Sequence, residues 1–178
     1  MTGSPAEMEK QAVQAYKRKD FPTALEAYSK ARAAYQALDN TFKAAEMANN
    51  LCVIHLQLKQ PELALQAVQG TPQIFQQHND QKHEAFAHGN LGAALQACGR
   101  LDEAEEAYKR AIQMFIELGE DDALEQTSQS LSEMLLKQGR SMEAMFSMKT
   151  GLENKKKRSL KDRILGKLFD SPGNLLKR

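Results

Sequence analysis

One small residue returns every 40 positions along this chain: Ala24 in FPTALEAY, Ala64 in QPELALQA, Ala104 in LDEAEEAY and Ala144 in SMEAMFSM. Other positions keep the same step. A small residue stands twelve before each anchor (Ala12, Cys52, Gly92, Ser132), and Leu51, Leu91 and Leu131 stand one earlier in the last three copies. A bulky residue stands four after (Tyr28, Val68, Tyr108, Met148), and a small one seven after (Ala31, Thr71, Ala111, Gly151). Ala, Leu, Glu, Gln and Lys dominate, all strong helix formers, with little β-branched clustering. A fixed period of this size in a helix-forming sequence predicts stacked helical hairpins, an all-α chain in which each hairpin buries its apolar face on its neighbours.

Two antiparallel helices approach closely only where one offers a small side chain and the large residues of the adjoining turn fill the holes beside it. Gly99 and Gly139 fall five before their anchors, where a left-handed cap ends the first helix; Lys19 and Lys59 hold that place in the other copies. Pro22 and Pro61 fall in first turns, where a missing N–H costs nothing. The spacing predicts first helices near 5–18, 41–58, 81–98 and 121–138. Second helices follow near 21–37, 61–77, 101–118 and 141–156, with a ninth helix at 160–169. Gly70, Thr71 and Pro72 interrupt one second helix. An interior proline costs about 3 kcal/mol, so a kink or restart is expected there, with Thr71 capping a new helix at Pro72.

Leu91, Gly92, Gly99, Ala104, Tyr108 and Ala111 together resemble the tetratricopeptide repeat; only His88, at the tryptophan-like place, departs. The resemblance covers four repeats (about 5–40, 41–80, 81–120 and 121–153), clearest in the third and faintest in the second. The long period is similar to the subclass of kinesin light chains and spindle G-protein adaptors. It implies a right-handed α-α superhelix, a solenoid of four hairpins plus a C-terminal helix. It also implies a non-enzymatic adaptor that holds a peptide segment of a protein partner in a concave groove lined by first helices.

The groove stripe would comprise Ala6, Lys10, Val13 and Lys17 in the first repeat, and Glu46, Asn49, Asn50, Val53 and Gln57 in the second. Phe86, Gly89, Asn90, Ala93 and Ala97 continue it in the third, and Gln126, Ser130, Glu133 and Lys137 in the fourth. Asn50 and Asn90 are one period apart. An amide both donates and accepts, so it can pair with a peptide backbone without reading its sequence; the resemblance implies that role, and helix packing is the alternative. Family members that clamp a terminal carboxylate use Lys and Arg here. This chain has Glu9, Val13, Asn50, Phe86 and Asn90 instead, which disfavours such a ligand. Phe86, Val13 and Val53 suit a partly apolar segment, with Glu46, Gln57 and Glu133 adding polar specificity.

Charge is uneven. From Glu153 to Arg178 nine Lys and Arg face three acids, a net +6, and Met1–Leu152 carries −5. In this tail Leu160, Ile164, Leu168 and Phe169 recur at helical spacing, opposite Lys161, Arg163 and Lys167. Three roles compete. The tail could cap the open end of the solenoid. It could meet an anionic membrane or nucleic acid through Lys155, Lys156, Lys157, Arg158, Lys161, Arg163 and Lys167, nucleic acid being the less favoured. It could occupy the groove until displaced. Homo-oligomerisation stays open.

Catalysis has no constellation behind it. There is no GxSxG, no phosphate-binding glycine loop and no Cys–His pair at ligand spacing. His83 and His88 are five apart, off the shared face two ligands need; His88 falls at a core position and His78 in a polar junction. No cofactor or metal is expected. Cys52 and Cys98 read as buried reduced thiols. With no signal core or membrane-length apolar run, the expected compartment is the cytoplasm.

Overall fold

The computed structural model describes residues 3–153, and these are helical with three-residue connections almost throughout. The order is α1 Pro5–Lys17, α2 Phe21–Ala37, α3 Thr41–Gln57, α4 Pro61–Val68, α5 Thr71–Gln77, α6 Gln81–Ala97, α7 Leu101–Leu118 and α8 Asp121–Lys137. A further helix, α9, occupies 141–153. The helices expected before residue 154 are present, the one at 61–77 as two pieces and the one at 141–156 described as far as 153, and no described residue is in a strand. The described residues fall into two compact units that divide after Gly119, 3–119 and 120–153. The ninth helix expected at 160–169, and the basic residues from Lys155 to Lys167, lie outside the described residues.

Short polar side chains start the helices. Ser4 and Glu7 form a reciprocal capping box on α1. Asp20, Asn40 and Asp80 each accept from the amide three residues on, at 3.2, 3.0 and 2.9 Å. The turns obey the same period. Lys19, Lys59, Gly99 and Gly139 have φ of 60, 58, 77 and 78°, and Asp39, Asn79 and Gly119 have 54, 56 and 78°. Left-handed backbone costs a non-glycine residue about 1–2 kcal/mol, while glycine adds chain entropy to the unfolded state. Exposed Lys59 is therefore a weak point: Lys59→Gly should stabilise the protein by about 0.5–1 kcal/mol. Thermal melting checks this, and a lowered midpoint would contradict it.

In the first unit the anchors and their partners pack as the period requires. Ala12, Ala24, Tyr28, Ala31, Cys52, Ala64, Val68 and Ala94 share one core with Met47, Leu51 and Ile54. In the third hairpin the open side of Gly92 faces the Tyr108 ring, and Ala104 and Ala111 are fully buried. In the second unit Ser132 Oγ donates to the Ala144 carbonyl at 2.9 Å, so small residue and anchor meet at that crossing. The bulky position of this hairpin departs from the pattern: Met148 is 43% exposed, where Tyr28, Val68 and Tyr108 are 4% or less. In the first unit α2 is covered by α3 and α4 by α6; α9 ends the described chain. Cys52 is buried, and burial pushes its thiol up to about 12. Cys98 is only half-buried, because it caps α6 at the turn instead of facing the core.

The second hairpin breaks where expected, with one correction. Gly70, not Thr71, is the N-cap of α5, at φ 85°. A left-handed glycine turns the chain between α4 and α5, which places Thr71 as the first helical residue and Pro72 in the first turn. Thr71 Oγ1 then lies 2.9 Å from the Val68 carbonyl and 3.0 Å from Asn49 Oδ1, all buried. The hydroxyl closes the end of α4 and ties the break to α3.

Candidate groove on the first helices

Within the first unit, α3 packs directly on α6. Their contact is close at one period step: Cys52 Sγ donates to the Asn90 carbonyl at 3.7 Å. The face beside this contact carries Asn50 and Asn90, both half-buried. Among the described residues neither side-chain amide has a hydrogen-bond partner. Val53 and Ala93, one turn on, are also half-buried, and Gln57 and Ala97 are exposed. Phe86 is 40% exposed. One side of its ring packs on buried Phe115, with centroids 5.0 Å apart at 66°. This leaves an apolar surface rimmed by amides. The stripe also includes Gly89, half-buried on α6.

Asn49 does not belong to this face. It is 7% exposed and its amide holds Thr71. Neighbouring positions on a helix point about 100° apart, so Asn49 turns inward where Asn50 turns out. Glu46 is already engaged. Its carboxylate lies 2.8 Å from Lys43 Nζ and 3.4 Å from His83 Nε2. Lys43 also reaches Glu9 at 3.5 Å, and Glu9 accepts from the Tyr35 hydroxyl at 2.9 Å. His83 Nδ1 is 2.9 Å from Asp80 Oδ2. This relay links α1, α2, α3 and α6 along one edge of the face. The Glu46 hydrogen bond, ahead of burial, holds the Lys43 ammonium charged beyond its ordinary range. Burial, with the Glu9 hydrogen bond second, raises Tyr35. The network fixes the helices more than it offers a free charge.

On α1, Val13 packs against the core with one edge, and Ala6, Lys10 and Lys17 are exposed. Tyr16 belongs with them and was not singled out from sequence: it is 38% exposed, its ring 5.9 Å from Phe21. The signal was available, since Tyr16 shares its period position with Leu56, Gln96 and Leu136. In the second unit Ser130 donates to the Gln126 carbonyl at 3.1 Å and Glu133 accepts from Gln129 at 2.9 Å; Gln126, Glu133 and Lys137 are exposed.

The histidines serve packing. His88 is half-buried, and burial, with Arg110 second, lowers its basicity. His78 is exposed but not isolated: its Nε2 is 3.3 Å from Thr41 Oγ1 and its ring lies on Phe42. No cluster of three metal-ligating side chains occurs among the described residues. No described helix is long and apolar enough to cross a membrane. Two clefts of about 190 and 240 Å³ open elsewhere, between successive second helices. Ala67 and Ile74 line the smaller; Gln76, Arg110 and Gln113 line the larger. The candidate site is thus an open face, not an enclosed pocket.

The tetratricopeptide repeat family profile matches residues 83–157. No curated protein matches the chain in sequence. Among solved structures, BtubC (BKLC) from P. vanneervenii superposes with a TM-score of 0.77 at 20% identity, over 87% of this chain and 64% of its own. Aspartyl phosphate phosphatase F from Bacillus subtilis gives 0.74 at 18%, over 89% and 43%. The Rap conjugation gene regulator of plasmid pLS20, solved in complex with the Phr* peptide, gives 0.58 at 18%, over 94% and 59%. The chain therefore spans under two thirds of the length of each of these proteins, and what they share with it is the fold.

Proposed function

We propose that the chain is a tetratricopeptide-repeat protein whose α3–α6 face holds an extended, partly apolar segment of a protein partner, with Asn50 and Asn90 pairing to its backbone. Repeats of this type generally serve as non-enzymatic interaction scaffolds. The observation that carries the reading is the pair of unengaged, half-buried amides one period apart on adjacent helices, contrasted with Asn49, whose amide is spent on Thr71. Phe86, one turn before Asn90, and Val53 and Ala93, one turn after the two amides, supply apolar contact beside them, and Gln57 borders it. Val13, Tyr16 and Lys17 extend the reading onto α1. The Rap regulator of similar fold, solved with a peptide, is consistent with a peptide-sized ligand.

Selection of a displayed random-peptide library on the intact chain, followed by titration of the selected peptides, tests this. Losing two amides that each make one or two backbone hydrogen bonds should weaken binding on the order of tenfold or more. Asn50→Ala combined with Asn90→Ala is expected to do so with the circular dichroism spectrum unchanged. Unchanged affinity in a folded double variant would reject the reading.

A further inference from the structure

The cleft of about 240 Å³ between α5 and α7 has a carboxylate in its lining. Glu84 reaches it from α6 and is only 6% exposed. Ala44 holds the same place one period earlier and Leu124 one period later, both buried. The scaffold therefore asks for no more than an apolar side chain there. A buried carboxylate loses its hydration and needs a partner in its place. Among the described residues the one polar contact of the Glu84 side chain is His88 Nε2, a turn further on at 3.9 Å. That is too long for a hydrogen bond. It is an ion pair only if the imidazole is protonated, and burial, with Arg110 second, works against protonation. Glu84 is thus an acid at a core position with nothing in the fold to neutralise it.

The rest of the lining indicates what would. Met114 is buried and Leu118 half-buried on α7, one turn apart, an apolar wall for an aliphatic stem. Gln76 and Gln81 bring exposed amides to the rim, able to donate or accept. Arg110 also stands at the rim, exposed, and makes no ion pair among the described residues. Its guanidinium repels a simple polyamine, whereas a ligand with a carboxylate of its own can pair with it.

We propose that this cleft binds a basic amino acid, either free or as the C-terminal residue of a peptide. The ammonium or guanidinium head sits on Glu84, the stem lies along Met114 and Leu118, and the carboxylate meets Arg110. The site opens between α5 and α7, apart from the α3–α6 face, and does not depend on peptide binding there.

Titration of the isotope-labelled full chain with L-arginine, followed by NMR, tests the assignment. Millimolar L-arginine should shift the amides around Glu84, Arg110 and Met114 and leave those of α1 unmoved. Glu84→Ala installs the side chain of the preceding copy, so it should fold and, without ligand, melt above the natural protein. It should bind L-arginine about tenfold more weakly or worse. Glu84→Gln, which keeps the shape and removes the charge, should lose binding as well. Agmatine, which is arginine without its carboxylate, should bind more weakly than L-arginine, and Arg110→Gln should abolish that preference. Tighter binding of an arginine-terminated tripeptide than of free arginine assigns the source to a C-terminus, and the reverse to the free amino acid. An absence of shifts at millimolar L-arginine, or undiminished binding in the folded Glu84 variants, would overturn the proposal. So would agmatine binding as tightly as L-arginine.

Discussion

Phe75→Ala should remove about 3–5 kcal/mol of stability, the range for emptying a fully buried phenylalanine site. Phe75 is fully buried, in a small cluster with Ala45 and Ala87 and with Phe42 and Ile74 at its edge. Its ring meets Phe42 edge-on at 5.4 Å and His83 at 5.3 Å. The helix that carries it has seven residues and follows one of eight. Helices this short do not persist alone in water, so α5 exists because Phe75 latches it to α3 and α6. A typical domain has about 5–15 kcal/mol in total, so the loss should be plain in urea unfolding. The site should feel it as well: His83 rests on this ring and contacts Glu46. A change under about 1 kcal/mol, the level of an ordinary surface substitution, would show that the latch lies elsewhere.

Gly92→Val should cost about 3 kcal/mol. A Cβ at Gly92 would stand 2.7 Å from Tyr108 Cδ1, closer than atoms pack. The Tyr108 ring has little freedom to withdraw. It is 3% exposed, and its hydroxyl donates to Gln96 Oε1 at 2.8 Å. Two effects oppose each other. Replacing a mid-helix glycine by alanine gains about 1 kcal/mol of helix propensity, while overpacking costs about 1–3 kcal/mol. Overpacking wins at this distance, so Gly92→Ala should also destabilise, though less than valine. The same Gly92→Ala change made in a Tyr108→Ala background should become neutral or stabilising, since the obstructing ring is gone. A raised melting temperature for Gly92→Ala in the natural background would refute the crossing geometry.

The helices were legible because each hairpin states its ends chemically. Polar caps stand at Asp20, Asn40 and Asp80, and left-handed turn residues stand one step before them or at glycines one period on. The break at Gly70–Pro72 was legible for the same reason: proline and glycine restrict or free the backbone locally. The cap was misplaced by one residue because Thr71 had two uses for its hydroxyl, and only Asn49, 22 positions away, shows which it takes. The groove was legible as a stripe and less so as a site. Helical spacing put Asn49 and Asn50 together; packing separated them. The i,i+3 spacing of Lys43 and Glu46 offers their pairing, but nothing local to Glu46 shows that His83, 37 positions on, would reach it too.

By itself the sequence determined the period, the helix ends and the small-against-large pairing at each crossing, because these follow from backbone preference and steric size within one hairpin. The tertiary structure decided which polar groups are free. Asn49 is claimed by Thr71, and Glu46 and His83 meet across helices in addition to their local partners Lys43 and Asp80, while among the described residues the Asn50 and Asn90 amides have no hydrogen-bond partner. It also showed Met142, Met145 and Phe146 uncovered on α9. Those outcomes depend on contacts between residues distant in the chain, which no local pattern specifies.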